Sequence, residues 1–113
     1  MDTNNSVEFI NQDDALSRVG GNLSLYKRLL GRFVEGNHME TLKTAINSGD
    51  MEEAIRQAHS LKGVSANLSL EKIRAATVDL EQLLKDNADY AQKLSELEES
   101  YTITAEKIAE MMD

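Results

Sequence analysis

The chain has 113 residues, a formal net charge of −8 and 41% hydrophobic residues, of which few are aromatic. That length suits one domain rather than two. The acidic balance argues against nucleic acid and against anionic membrane surfaces as partners. Cysteine and proline are both absent, which excludes disulfides and thiolate metal sites and leaves long helices uninterrupted. The polar start Met1-Asp2-Thr3-Asn4-Asn5 lacks the basic entry of a signal peptide, and no apolar run approaches the roughly 20 residues of a membrane span. The expected location is cytoplasmic.

Residues 1–8 read as a flexible polar tail. A short helix follows, capped by Asn11 or Asp13, with Ala15, Leu16 and Val19 on its buried side and Gly20-Gly21 at its end. Asn22 is placed to cap the next helix. There Tyr26, Leu29, Leu30, Phe33 and Val34 recur at helical spacing, and the pattern resumes at Met39, Leu42, Ala45 and Ile46. The phase drifts across Gly36-Asn37, so one long helix with a bend is expected, with two separate helices as the alternative. His38 should then lie exposed beside the bend.

Ser48-Gly49-Asp50 punctuates the chain: Gly49 can end a helix in the left-handed conformation, and Asp50 with Glu53 has the spacing of a capping box. The next helix is predicted over 51–66, with Met51, Ala54, Ile55, Ala58, Leu61 and Ser65 inward. Asn67-Leu68-Ser69 makes a corner with Ser69 as the cap. Leu70, Ile73, Ala76, Thr77, Leu80, Leu83 and Leu84 form the following stripe, and Asn87-Ala88-Asp89 ends it. The last helix carries Tyr90, Leu94, Leu97, Tyr101, Ile108 and Met111 or Met112. Short corners between amphipathic helices favour antiparallel neighbours. The expected fold is all-α: an antiparallel up-down-up-down four-helix bundle with a short extra N-terminal helix, in one domain spanning 1–113.

The stretch Ala58-His59-Ser60-Leu61-Lys62-Gly63 concentrates chemistry on one helix face, since positions i, i+3 and i+4 are neighbours. At about 100° per residue, His59 falls roughly a third of a turn from the centre of the apolar stripe. Its ring should emerge at the edge of the core, with its base packed and its tip wet. Lys62, Gly63 and Ala66 lie near it and Arg56 flanks it. A neutral imidazole has a lone pair that can attack phosphorus. Lys62 can offset the charge of a phosphoryl group, Arg56 can add a second cation, and Gly63 and Ala66 leave room for an approaching surface. Glycine inside a helix costs about 1 kcal/mol relative to alanine, so Gly63 needs a reason.

The segment from Ala58 to Leu68 closely resembles the signature of histidine-containing phosphotransfer (HPt) domains, the relay modules of multistep phosphorelays. Gly49-Asp50, Leu80-Glu81 and the stretch from Leu16 to Phe33 share the resemblance. It implies that His59 is a phosphoacceptor, taking the group from a receiver-domain aspartate and passing it to another. Lys62 would steady the phosphate, and Gly63 would permit docking, with Ala66 and Arg56 in the docking surface. In the chemotaxis-kinase branch a glutamate on the next helix orients the histidine, and Glu81 stands at the matching separation.

The resemblance further implies response-regulator receiver domains and a hybrid or chemotaxis-type histidine kinase as partners, with Mg²⁺ supplied by the receiver. No cofactor or metal of its own is expected, and the chain should be a monomeric phosphoryl carrier without ATP-dependent kinase activity. It has no glycine-rich phosphate loop. Three alternatives remain: the phosphoacceptor module of a chemotaxis-type histidine kinase, a non-catalytic interacting bundle, and a metal bundle built on the Glu35-Gly36-Asn37-His38 spacing. The metal bundle is weak, because di-metal bundles need two Glu-x-x-His pairs and Arg56 stands three residues before His59.

Overall fold

The structure is a computed structural model and describes residues 8–112. Every regular element among them is helical: α1 (Gln12–Arg18), α2 (Leu23–Glu35), α3 (His38–Asn47), α4 (Met51–Asn67), α5 (Glu71–Lys85) and α6 (Ala91–Met111). The residues assigned to the polar tail lie, apart from Glu8, outside the described residues. α4 packs most extensively on α5 and also against α3, while α6 packs on α5 and α2.

Several helix starts form as the side chains dictate. Asn11, Asn22 and Asp50 accept hydrogen bonds from the backbone amides of Asp14, Leu25 and Glu53, satisfying donors the first turn leaves open. The capping box at Asp50 is only half made, because the Glu53 carboxylate turns to Arg56 and Gln57 instead.

Four expectations need correction, at the bend, His38, Ser69 and Val34. The bent helix is two helices: Asn37 takes the left-handed conformation at φ 56°, and the chain restarts at His38. His38 is accordingly not a free surface residue. Its half-buried ring stacks on Phe33 with centroids 5.0 Å apart, and burial lowers its pKa from the ordinary histidine value. The ring lies so close over Gly36 that a Cβ there would stand 2.7 Å from its Nε2. That approach, rather than backbone conformation, accounts for Gly36.

Ser69, expected as a cap, instead takes φ 58° and leaves Leu70 as the cap of α5. Its buried hydroxyl crosses to α1 and donates to Asp14 Oδ2 at 2.6 Å, while its carbonyl accepts from the Asn11 amide at 2.9 Å. The Ser69 bond, then the Arg18 bond, hold the Asp14 carboxyl below the usual range. Tyr26 donates its hydroxyl to the Leu68 carbonyl at 3.0 Å, and burial pushes its pKa up to about 12. The corner between α4 and α5 is thus tied to α1 and α2, which fixes the end of the helix carrying His59.

Leu30, Leu42, Leu61, Leu70, Ile73, Leu80, Leu97 and Ile108 form the centre of the core. On α4 the buried stripe is Ala54, Ala58, Leu61 and Ser65. Three of these four are small, which lets α5 approach closely. Val34, assigned inward from its spacing, is exposed.

Candidate functional site

α4 and α5 bring four side chains together. His59 extends from α4 with its side chain 70% exposed, whereas Glu81 on α5 is 5% exposed. His59 therefore emerges outside the core, beside the buried Ala58. What restrains the ring is one polar contact: Nδ1 lies 3.3 Å from Glu81 Oε2. A carboxylate can only accept, so this contact requires the hydrogen on Nδ1 and leaves the Nε2 lone pair free.

Glu81 is also bound by two lysines. Lys62 Nζ lies 2.7 Å from Oε1 and Lys85 Nζ 3.1 Å from Oε2. Burial pushes the Glu81 carboxyl up, but the hydrogen bonds and charges of Lys62 and Lys85 together more than reverse this and hold it below the usual carboxylate range. Glu81 is consequently an anion at neutral pH in a place where an unpaired anion would be costly.

Of the residues singled out from the sequence, His59, Lys62 and Glu81 converge. Arg56 does not join them, since its guanidinium pairs with Glu53 one turn earlier. Gly63 is exposed, and a Cβ there would meet nothing within 4 Å. Packing within the chain does not require this glycine. Ala66 is half-buried along the same face. Between α2, α3 and α4 a mainly apolar groove of about 350 Å³ is lined by Leu29, Phe33, His38, Val64 and Leu68 with Arg32, and Asn67 carries it toward Gly63, one turn away.

Lys85 was not singled out from the sequence. The signal that could have found it is the Glu81–Lys85 spacing of four, which places opposite charges together on a helix face. Among the described residues no group of three or more His, Asp or Glu side chains could hold a metal ion. Glu35 and His38 supply only one such pair. No described helix is long and apolar enough to cross a membrane.

The model of the Hpt domain family matches residues 29–113. The chain belongs to the Hpt domain family. Neither the curated proteins nor the solved structures contain a match. The match begins at Leu29, so α1 and the first part of α2, where the resemblance was traced from Leu16, lie outside it. An Hpt domain serves histidine phosphotransfer in two-component signalling, and its partners are receiver domains and histidine kinases. The helix pair α4–α5, with its single histidine beside a buried carboxylate, lies wholly within the matched region.

Proposed function

We propose that this Hpt domain is a phosphorelay intermediate, accepting a phosphoryl group on His59 from a receiver-domain aspartate and passing it to another receiver. The observation that supports His59 as the phosphoacceptor is its contact with Glu81: Nδ1 lies 3.3 Å from Oε2, which selects the reactive tautomer. The Nε2 lone pair attacks the phosphorus of the aspartyl phosphate. An N–P bond forms as the acyl O–P bond breaks, and the electron pair leaves with the donor carboxylate. The proton stays on Nδ1, where Glu81 offsets the positive charge the ring acquires. Transfer onward is the reverse reaction on a different aspartate.

Lys62 steadies the phosphoryl oxygens; Mg²⁺ held by the donor receiver would offset charge on the carboxylate side. Gly63, Ala66 and the groove ending at Asn67 form the docking surface, with Arg56 at its margin. A side chain at position 63 would project into this surface without touching its own fold, which supports docking as the reason for the glycine. No ATP site is ascribed to this chain. The bundle reading takes α2–α3 as one broken rod that forms an antiparallel up-down-up-down four-helix arrangement with α4, α5 and α6, preceded by α1. Its support is the short corners and the pairwise packing. We read the chain as one monomeric, cytoplasmic module.

A second reading makes the chain the phosphoacceptor module of a chemotaxis-type kinase, and the Glu81 carboxylate at the histidine favours it. Incubation with a phosphorylated receiver separates the two. The relay reading expects acid-labile label that is lost in His59→Gln. Label only from an ATP-loaded kinase domain selects the second reading, and label that survives His59→Gln defeats both.

A further inference from the structure

Two lysines bind one carboxylate, although one would suffice to neutralise it. Glu81 is 5% exposed and is met by Lys62 on Oε1 at 2.7 Å and by Lys85 on Oε2 at 3.1 Å. The two cations are differently placed. Lys62 lies on α4, three residues beyond His59 and on the same face as it. Lys85 lies on α5, four residues beyond Glu81, half-exposed. Arg56 cannot take over either role while it pairs with Glu53.

A phosphoryl group on Nε2 brings about two negative charges to the His59 face. Lys62 is the cation positioned to meet them, yet in the unphosphorylated state it is held by Glu81. Moving it away from a buried carboxylate is costly unless the carboxylate keeps another cation. Lys85 is that cation. On these grounds we propose that Lys85 is a positioning residue for phosphotransfer: it retains Glu81 in place so that Lys62 can exchange its carboxylate partner for the phosphoryl group. The proposal rests on the reading of His59 as phosphoacceptor. It adds no chemical step, only a change of ion-pair partner as the N–P bond forms.

The consequence is a dependence of Lys85 on Lys62. When Lys85 is replaced by methionine, Lys62 becomes the only lysine on Glu81 and stays there. His59 still meets Glu81, so tautomer and docking are unchanged, but the incoming charge is poorly met. With Lys62 already removed, Lys85 has nothing to release and its loss should matter little.

The test measures transfer from a receiver domain preloaded with radiolabelled phosphoryl group, using the receiver that labels the wild-type chain. Lys85→Met should lower the rate at saturating donor by about fivefold, the scale of one moderate charge interaction. The donor concentration for half-saturation should not change, and Lys85→Arg should restore the rate. In a Lys62→Met background, the further substitution Lys85→Met should change the rate less than twofold. Nitrogen NMR of the Lys62 ammonium should show a shift on phosphorylation in the wild type and none in Lys85→Met. An unchanged rate in Lys85→Met overturns the proposal, as does a fivefold loss that persists without Lys62. A loss confined to half-saturation, or a Lys62 signal unmoved by phosphorylation in the wild type, also overturns it. Failure of the wild type itself to accept label on His59 instead removes the underlying phosphoacceptor reading.

Discussion

At the scale of single residues, the site is governed by Glu81, a carboxylate whose burial pushes its pKa up. Lys62 and Lys85 outweigh that burial and hold its pKa below the usual range. A folded-state pKa below the unfolded value contributes stability that is fully present above the unfolded pKa and is lost as pH falls through the folded one. With an ordinary glutamate value of 4.5, the loss belongs below that pH. Glu81→Gln removes this contribution while keeping the shape, so melting temperatures of wild type and variant should differ most at pH 6 and converge toward pH 3. A gap that stays constant across that range counts against Glu81 as the titrating group. Because Lys62 and Lys85 can return to water, the cost of the variant at pH 7 should be modest, about 1 kcal/mol. At the same pH, the variant should also lose the fixed tautomer of His59, visible as mixed ring-nitrogen shifts in the NMR spectrum.

At the scale of elements, α4 is a helix with one residue its own fold does not explain. A Cβ at Gly63 meets nothing within 4 Å, and the position is not among those with positive φ. Gly63→Ala should therefore raise stability by about 0.5–1 kcal/mol, the difference in helix propensity. A denaturant titration checks this, and a loss of stability would show a contact that the geometry lacks. A bulky replacement such as Gly63→Gln should leave the fold intact and slow transfer from a phosphorylated receiver. An unimpaired rate would exclude Gly63 from the docking surface.

The helices themselves were legible from the sequence because apolar spacing and the caps Asn11, Asn22 and Asp50 act locally. The break at Asn37 was legible only in part. The apolar phase drifts across Gly36-Asn37, but such a drift does not distinguish a bend from the left-handed asparagine that separates two helices. Ser69 misled for a related reason, since the choice between capping α5 and reaching Asp14 depends on where α1 comes to rest. The pairing of His59 with Glu81 joins two helices, and only the family resemblance, not spacing, indicated it. Lys85, by contrast, was missed although a local signal was present: its partner lies one turn away on the same helix.

At the scale of the whole molecule, chemistry and stability occupy separate places. The core is made from aliphatic side chains such as Leu30, Leu61, Leu80 and Leu97, all almost fully buried. Lys62 and Lys85, which bind Glu81, reach it from outside that core, in a chain with net charge −8. His59 is the extreme case: its side chain is 70% exposed, and its one polar partner has two other cations to hold it. Removing the ring leaves no cavity and no unpaired buried charge, the two usual sources of a large loss on substitution. His59→Gln should accordingly change stability by no more than about 0.5 kcal/mol while abolishing acid-labile labelling. Thermal melts followed by circular dichroism, run beside the labelling assay, check both halves. A drop of many degrees in His59→Gln would mean that the imidazole supports the α4–α5 packing, and the loss of label could then reflect unfolding. An unchanged melt with no label assigns the chemistry to the ring alone.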